Sequence, residues 1–137
     1  MPDNAVARPR RHVFVLATDL EATAGAIREA SRLVDPMNHA VVLVPHVLDA
    51  QHPVDRAHEH DASIRALAAH YGLRIRVHVC ACRSRLDIFR QLVTEPSIVI
   101  MGEAKAAADN TPLRTALQAQ GHVVIVVPAV NSGLAGR

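Results

Sequence analysis

Apolar and polar positions along this chain switch repeatedly between two periods. From His12, HVFVLATD is a β-branched apolar run ending in polar residues, the pattern of a strand buried on both faces. EATAGAIREASRLVD then places Ala26, Ile27, Ala30, Leu33 and Val34 on one helical face, and Pro36 stops it. The unit repeats. HAVVLVPHV predicts a second buried strand, and after a loop containing Pro53 the segment DRAHEHDASIRALAAHYG sets Ile64, Leu67, Ala68 and Tyr71 at helical spacing, with Gly72 as C-cap. A third helix is expected over about Leu86 to Thr94, with Ile88, Phe89, Leu92 and Val93 inward. SIVIMG is a buried strand ending at Gly102, and EAKAAADN is a loop. TPLRTALQAQ is a short helix with Thr111 as N-cap and Pro112 at its first position, and HVVIVVPAV is the last strand, closed by Pro128.

One segment differs. LRIRVHVCAC alternates strictly, with Leu73, Ile75, Val77, Val79 and Ala81 on one face and Arg74, Arg76, His78, Cys80 and Cys82 on the other. A strand that is polar on one face belongs at a sheet edge. Residues 1–11, MPDNAVARPRR, show no apolar period and read as a disordered arm, residues 131–137 as a flexible tail, and residues 12–130 as one domain. Strands alternating with helices indicate a parallel sheet covered on both faces, and ligands of such sheets sit in the crevice at the carboxyl ends of the strands. Those ends are Ala17 to Asp19, His46 to Val47, Cys82, and Met101 to Gly102.

Composition narrows the function classes. Half of the 137 residues are apolar and 20% are charged, too apolar for a disordered chain, and there is no long uncharged run for a membrane span. Phe14, Tyr71 and Phe89 are too few for base-stacking platforms, and a net charge of +2 is too weak for a phosphate-backbone footprint, so nucleic acid is not an expected partner. The polar, basic amino terminus is unlike a signal peptide, so a cytoplasmic location is expected. Cys80 and Cys82 are too few and too close for a disulfide framework.

In order and spacing these segments resemble the universal stress protein family. VLATDLEATA is similar to that family's first strand and turn, His46-Val47 to its H-V pair, VIMG to its I-V-M-G, and VVIVVP to its closing strand. The resemblance covers residues 12 to 130. It implies a doubly wound, Rossmann-like parallel sheet of five strands in the order 3-2-1-4-5, with helices on both faces, as in universal stress proteins and adenine nucleotide alpha hydrolases. It also implies a candidate nucleotide pocket formed by Ala17, Thr18, Asp19, Val47, Met101, Gly102, Lys105, Asn110 and Thr111. ATP-binding members carry G-x-x-G, a spacer, then G-[ST] after the fourth strand, the glycines letting backbone amides approach the phosphates. Here Gly102 keeps the first position, Lys105 replaces the second glycine, Asn110-Thr111 stands for G-[ST], and the loop is shorter. The turn after the third strand, usually G-[DN]-[PA] in the family, reads Cys82-Arg83-Ser84.

Each candidate also has a plain structural reading. Asp19 suits both a ligand hydrogen bond and a cap on the first helix, and the two are compatible. His46 packs or bonds locally, and Val47 lines an adenine pocket by its bulk and backbone. Lys105, Arg83 and Arg85 read first as solvated loop residues that an anion could also use. His78, Cys80 and Cys82 share one strand face and raise a thiol or metal sensor as an alternative. However, alternate residues on a strand lie about 6.6 Å apart with parallel side chains, poor geometry for a disulfide or a tetrahedral zinc site. His58-Glu59-His60 sets its imidazoles about 200° apart on a helix, unlike H-E-x-x-H.

The sequence contains no nucleophile elbow and no paired carboxylates. Together with this absence, the resemblance implies a non-enzymatic stress protein, homodimeric through the apolar edge Val123 to Val130, that binds an unknown small ligand or protein partner without tight ATP binding and without a required cofactor. The first alternative is an AMP-, ADP- or ATP-binding stress protein using Asp19, Val47, Gly102 and Thr111. Hydrolysis of a nucleotide or small ester rests on fold analogy alone.

Overall fold

The structure is a computed structural model that describes residues 12–48, 53–103 and 111–128. The arm, the tail, Lys105, Asn110 and the end of the last strand segment at 129–130 lie outside the described residues. Within them the chain forms β1 (Val13–Leu16), α1 (Leu20–Leu33), β2 (Ala40–Val47), a 3-10 segment (Pro53–His60), α2 (Asp61–His70), β3 (Ile75–Cys82), α3 (Arg85–Leu92), β4 (Ile98–Gly102), α4 (Thr111–Ala119) and β5 (Val123–Val127).

All five strands are parallel, in the order β3-β2-β1-β4-β5, as the resemblance implied. The apolar strand VFVL takes the centre with all four residues buried. Alternate strand residues feed two cores. Val13, Val15, Val42, Val44 and Ile100 pack under α1 and α2, with Ala26, Ile27, Ala30, Ile64 and Ala68. Phe14, Leu16, Leu43, Val99 and Met101 pack on the other face beneath α3 and α4, with Ile88, Phe89, Leu113 and Leu117. Fully burying side chains of this size contributes about 1.5–3 kcal/mol each, so these two layers fix the sheet between its helices.

The boundaries carry local reasons. α1 starts behind Asp19, whose side chain accepts from the Ala22 N–H at 2.8 Å. Gly72 sits at φ +69 just past α2, the left-handed position that ends helices at low cost for glycine.

Four expectations need correction. The helix placed across residues 55–72 is two pieces, a 3-10 segment interrupted at Arg56 (φ −111, ψ 35) and then α2 from Asp61. The third helix runs from Arg85 to Leu92 rather than to Thr94, and Leu92 is 43% exposed. Leu33, assigned to the inward face of α1, is 44% exposed at the helix end. On β3 the face expected to be polar is so only at its start. Cys82 is buried and Cys80 half-buried against the α3 side, while Val79 on the supposed apolar face is 52% exposed. The reason is edge geometry: which half of an edge strand is covered depends on where the neighbouring helix lies. Among the described residues, no helix is long and apolar enough to cross a membrane.

Candidate functional site

Parallel strands deliver their carboxyl ends to one side of the sheet, where α1, α3 and α4 begin. At the end of β1 the turn is tightly tied. The Thr18 N–H donates to Thr23 Oγ1 at 2.9 Å, and the Thr23 hydroxyl donates to the Asp19 carbonyl at 2.8 Å. Asp19 caps α1 with Oδ1, so the capping reading holds. Two acceptors in this turn remain: Thr18 Oγ1 and Asp19 Oδ2 are both buried, and neither has a hydrogen-bond partner among the described residues. Leaving such a group unsatisfied costs about 1–3 kcal/mol, which marks the turn as a place where a donor would be stabilised.

At the same end of the sheet, a cavity of about 400 Å³ is lined by Val47, Arg83, Ser84, Arg85, Leu86, Pro112 and Leu113. Its walls are the end of β2, the turn after β3, and the amino ends of α3 and α4. Ser84 occupies the N-cap of α3 but makes no side-chain cap hydrogen bond. The first-turn N–H groups of α3 and the partial positive charge of that helix end thus face a region that also carries two guanidinium groups. Arg83 is exposed, and Arg85 is half-buried with an interaction of its own. Such a wall favours an anion.

The candidate residues therefore separate by place. Ala17 and Thr18 are fully buried at the end of β1, Asp19 is half-buried, and Val47 lines the cavity. Met101 is fully buried and packs in the α3 and α4 core. Gly102 has a packing reason: a Cβ there would lie 2.1 Å from the Ala22 carbonyl oxygen and 2.7 Å from Ala22 Cα, so the first turn of α1 crosses β4 where only glycine leaves room. Thr111 opens α4 and is exposed, with a partner of its own. Lys105 and Asn110 lie outside the described residues. Sequence reasoning missed Leu86, Pro112 and Leu113 as lining residues, since their pattern only announces helix starts.

His46 stacks on His58, ring centroids 3.9 Å apart and planes 24° apart, a local packing role that pins the 3-10 segment to the end of β2. The Cys80 Sγ lies 3.8 Å from the His78 carbonyl oxygen, and the Cys82 Sγ lies 4.0 Å from that of His46. Burial pushes the Cys80 thiol up, which works against a reactive thiolate. Among the described residues, no three His, Cys, Asp or Glu side chains come together to hold a metal ion.

No family model matches the sequence, and no curated protein matches it. Solved structures do match. A universal stress protein in complex with cAMP superposes with a TM-score of 0.59 at 11% identity, covering 88% of this chain and 99% of that one. A universal stress protein from Archaeoglobus fulgidus superposes with a TM-score of 0.56 at 11% identity, covering 91% of this chain and 98% of that one. With the strand order and the two-faced helical cover, these matches show that the chain has the fold of the universal stress proteins.

Proposed function

We propose that this chain is a non-enzymatic, cytoplasmic stress-response protein that binds a small adenosine-type nucleotide carrying one phosphate, in the crevice at the carboxyl ends of the strands. The observation that carries this reading is the pair of unsatisfied buried acceptors, Thr18 Oγ1 and Asp19 Oδ2, in the turn beside that crevice. Ribose hydroxyls and the adenine amino group are donors that match them. The phosphate then belongs at the cavity walled by Arg83, Arg85 and the start of α3. The cAMP complex of a protein with the same fold agrees with a ligand of this class. ATP fits less well. Two of the three glycines of the ATP-binding pattern are replaced, and Gly102 is accounted for by its contact with Ala22.

Calorimetric titration with AMP, cAMP and ATP tests the reading. AMP or cAMP is expected to bind with micromolar affinity and ATP more weakly. Asp19→Asn is the informative variant, because Asn still caps α1 while replacing a possible acceptor with an amide donor. It should cost the ligand tenfold or more with the fold intact. Saturable binding of none of the three nucleotides at millimolar concentration would sink the proposal, as would sub-micromolar ATP binding.

The same reading includes a homodimer through β5. That strand is an edge in which all five residues are valine or isoleucine, and Val123 is 45% exposed. Bare apolar edges invite pairing. Solution mass should report a dimer, and Val123→Lys should shift it to monomer. A monomer at high micromolar concentration in the wild-type protein contradicts this part.

A further inference from the structure

At the other end of the sheet, the amino ends of β1, β2 and β3 border a groove of about 880 Å³, within the range of small-molecule sites. It arises from a mismatch of lengths. α3 has eight residues, about 12 Å of helix, whereas the eight residues of β3 extend over about 26 Å. Ile88 and Phe89 of α3 cover the carboxyl half of the β2–β3 pair, where Cys80 and Cys82 pack. Among the described residues, the amino half of that face is uncovered along β3, where Arg76 and His78 are exposed, while on β2 Val41 is half-buried and Leu43 buried.

Register gives the groove a direction. Phe14 lies opposite Val41 and Val41 opposite Arg76, so one row across three strands passes from an aromatic ring to a guanidinium at the sheet edge. At a strand spacing of about 4.8 Å, the two ends of the row are about 10 Å apart. One pleat further on, Leu43 opposite His78 repeats the step from apolar to polar. Neither the Arg76 nor the His78 side chain has an ion pair or side-chain hydrogen bond among the described residues. Leu33 and Leu92, the two half-exposed leucines that close α1 and α3, also line the groove.

We propose that this groove binds a small amphiphilic monoanion, a carboxylate on an aromatic or aliphatic body. The body lies against Val41 and the half-exposed Leu33 and Leu92 at the rim, and the carboxylate meets Arg76 and His78. A planar guanidinium fork matches a carboxylate with two parallel hydrogen bonds. Asp35 and Glu95 line the same groove and disfavour ligands with several negative charges, which separates this site from the phosphate-binding crevice. The proposal is independent of the nucleotide reading, since it uses the opposite end of the sheet.

The test is a two-dimensional 1H–15N NMR titration with 2-naphthoate, with uncharged 2-naphthamide as control. Saturable shifts are expected at the amides of Phe14, Val41, Leu43, Arg76 and His78, with at least tenfold weaker binding by the amide. Arg76→Gln changes an exposed side chain, so the spectrum should stay dispersed while naphthoate affinity falls at least tenfold. Equal binding of acid and amide overturns the proposal, and so does the absence of saturable shifts at millimolar ligand or their appearance at Arg83 to Leu86 instead. Groove shifts that depend on protein concentration alone would identify a second copy as the occupant. Groove shifts on deletion of residues 1–11 would identify the chain's own arm. Either result also overturns it.

Discussion

Replacing Gly102 with alanine separates a packing role for this residue from a role in cradling phosphate. The added Cβ would stand 2.1 Å from the Ala22 carbonyl oxygen, 2.5 Å from its carbon and 2.7 Å from its Cα. Real Cβ contacts essentially never fall below 3.0 Å, so the oxygen must retreat by 3.0 − 2.1 = 0.9 Å. All three atoms are backbone, in the turn whose Ala22 N–H is held by Asp19, so no side chain can rotate aside. Overpacking of this kind costs roughly 1–3 kcal/mol, and rigid backbone places it at the upper end. A Gly→Ala change at ordinary φ returns about 0.4–1 kcal/mol through the unfolded chain. The net loss is therefore about 2 kcal/mol, or roughly 6–10 °C in Tm for a domain of this size. Urea and thermal unfolding followed by circular dichroism, without nucleotide, should show it. A Tm unchanged or raised would refute the packing argument and return Gly102 to a ligand role.

Further outcomes follow from the same structure. Asp19→Ala removes the α1 cap and should cost about 1 kcal/mol in urea unfolding, whereas Asp19→Asn should cost only a few tenths; equal losses would contradict the capping geometry. Phe89→Ala, in the fully buried centre of the α3 core, should lose about 3–5 kcal/mol, read from the urea midpoint. Burial raises the Cys80 thiol, so as pH climbs the unfolded chain gives up this proton first. Stability is full below the ordinary thiol range and declines from about pH 8.5 upward. Cys80→Ser should flatten that alkaline decline, and iodoacetamide should alkylate native Cys80 more slowly than a free peptide thiol.

Much of this molecule was legible before folding was considered. VFVL reads as a strand buried on both faces, and it is, while Asp19 before an amphipathic run announced a helix start that the cap confirms. Strand order followed from the resemblance rather than from periodicity, because alternation shows which residues share a face but not which strands are neighbours.

Local pattern and local chemistry set the strands, most of the helix faces, the caps and the edge position of β3, since each depends on residues a few positions apart. Three features needed residues far apart in the chain. Gly102 is obligatory because α1 crosses β4 at Ala22, eighty positions earlier. The unsatisfied acceptors of Thr18 and Asp19 exist only when burial removes water from a turn. Whether the polar face of β3 is covered depends on how far α3 reaches along it, which buries Cys82 and leaves Arg76 and His78 open. Periodicity specifies which side a residue faces; the lengths and crossings of packed elements decide what it meets there.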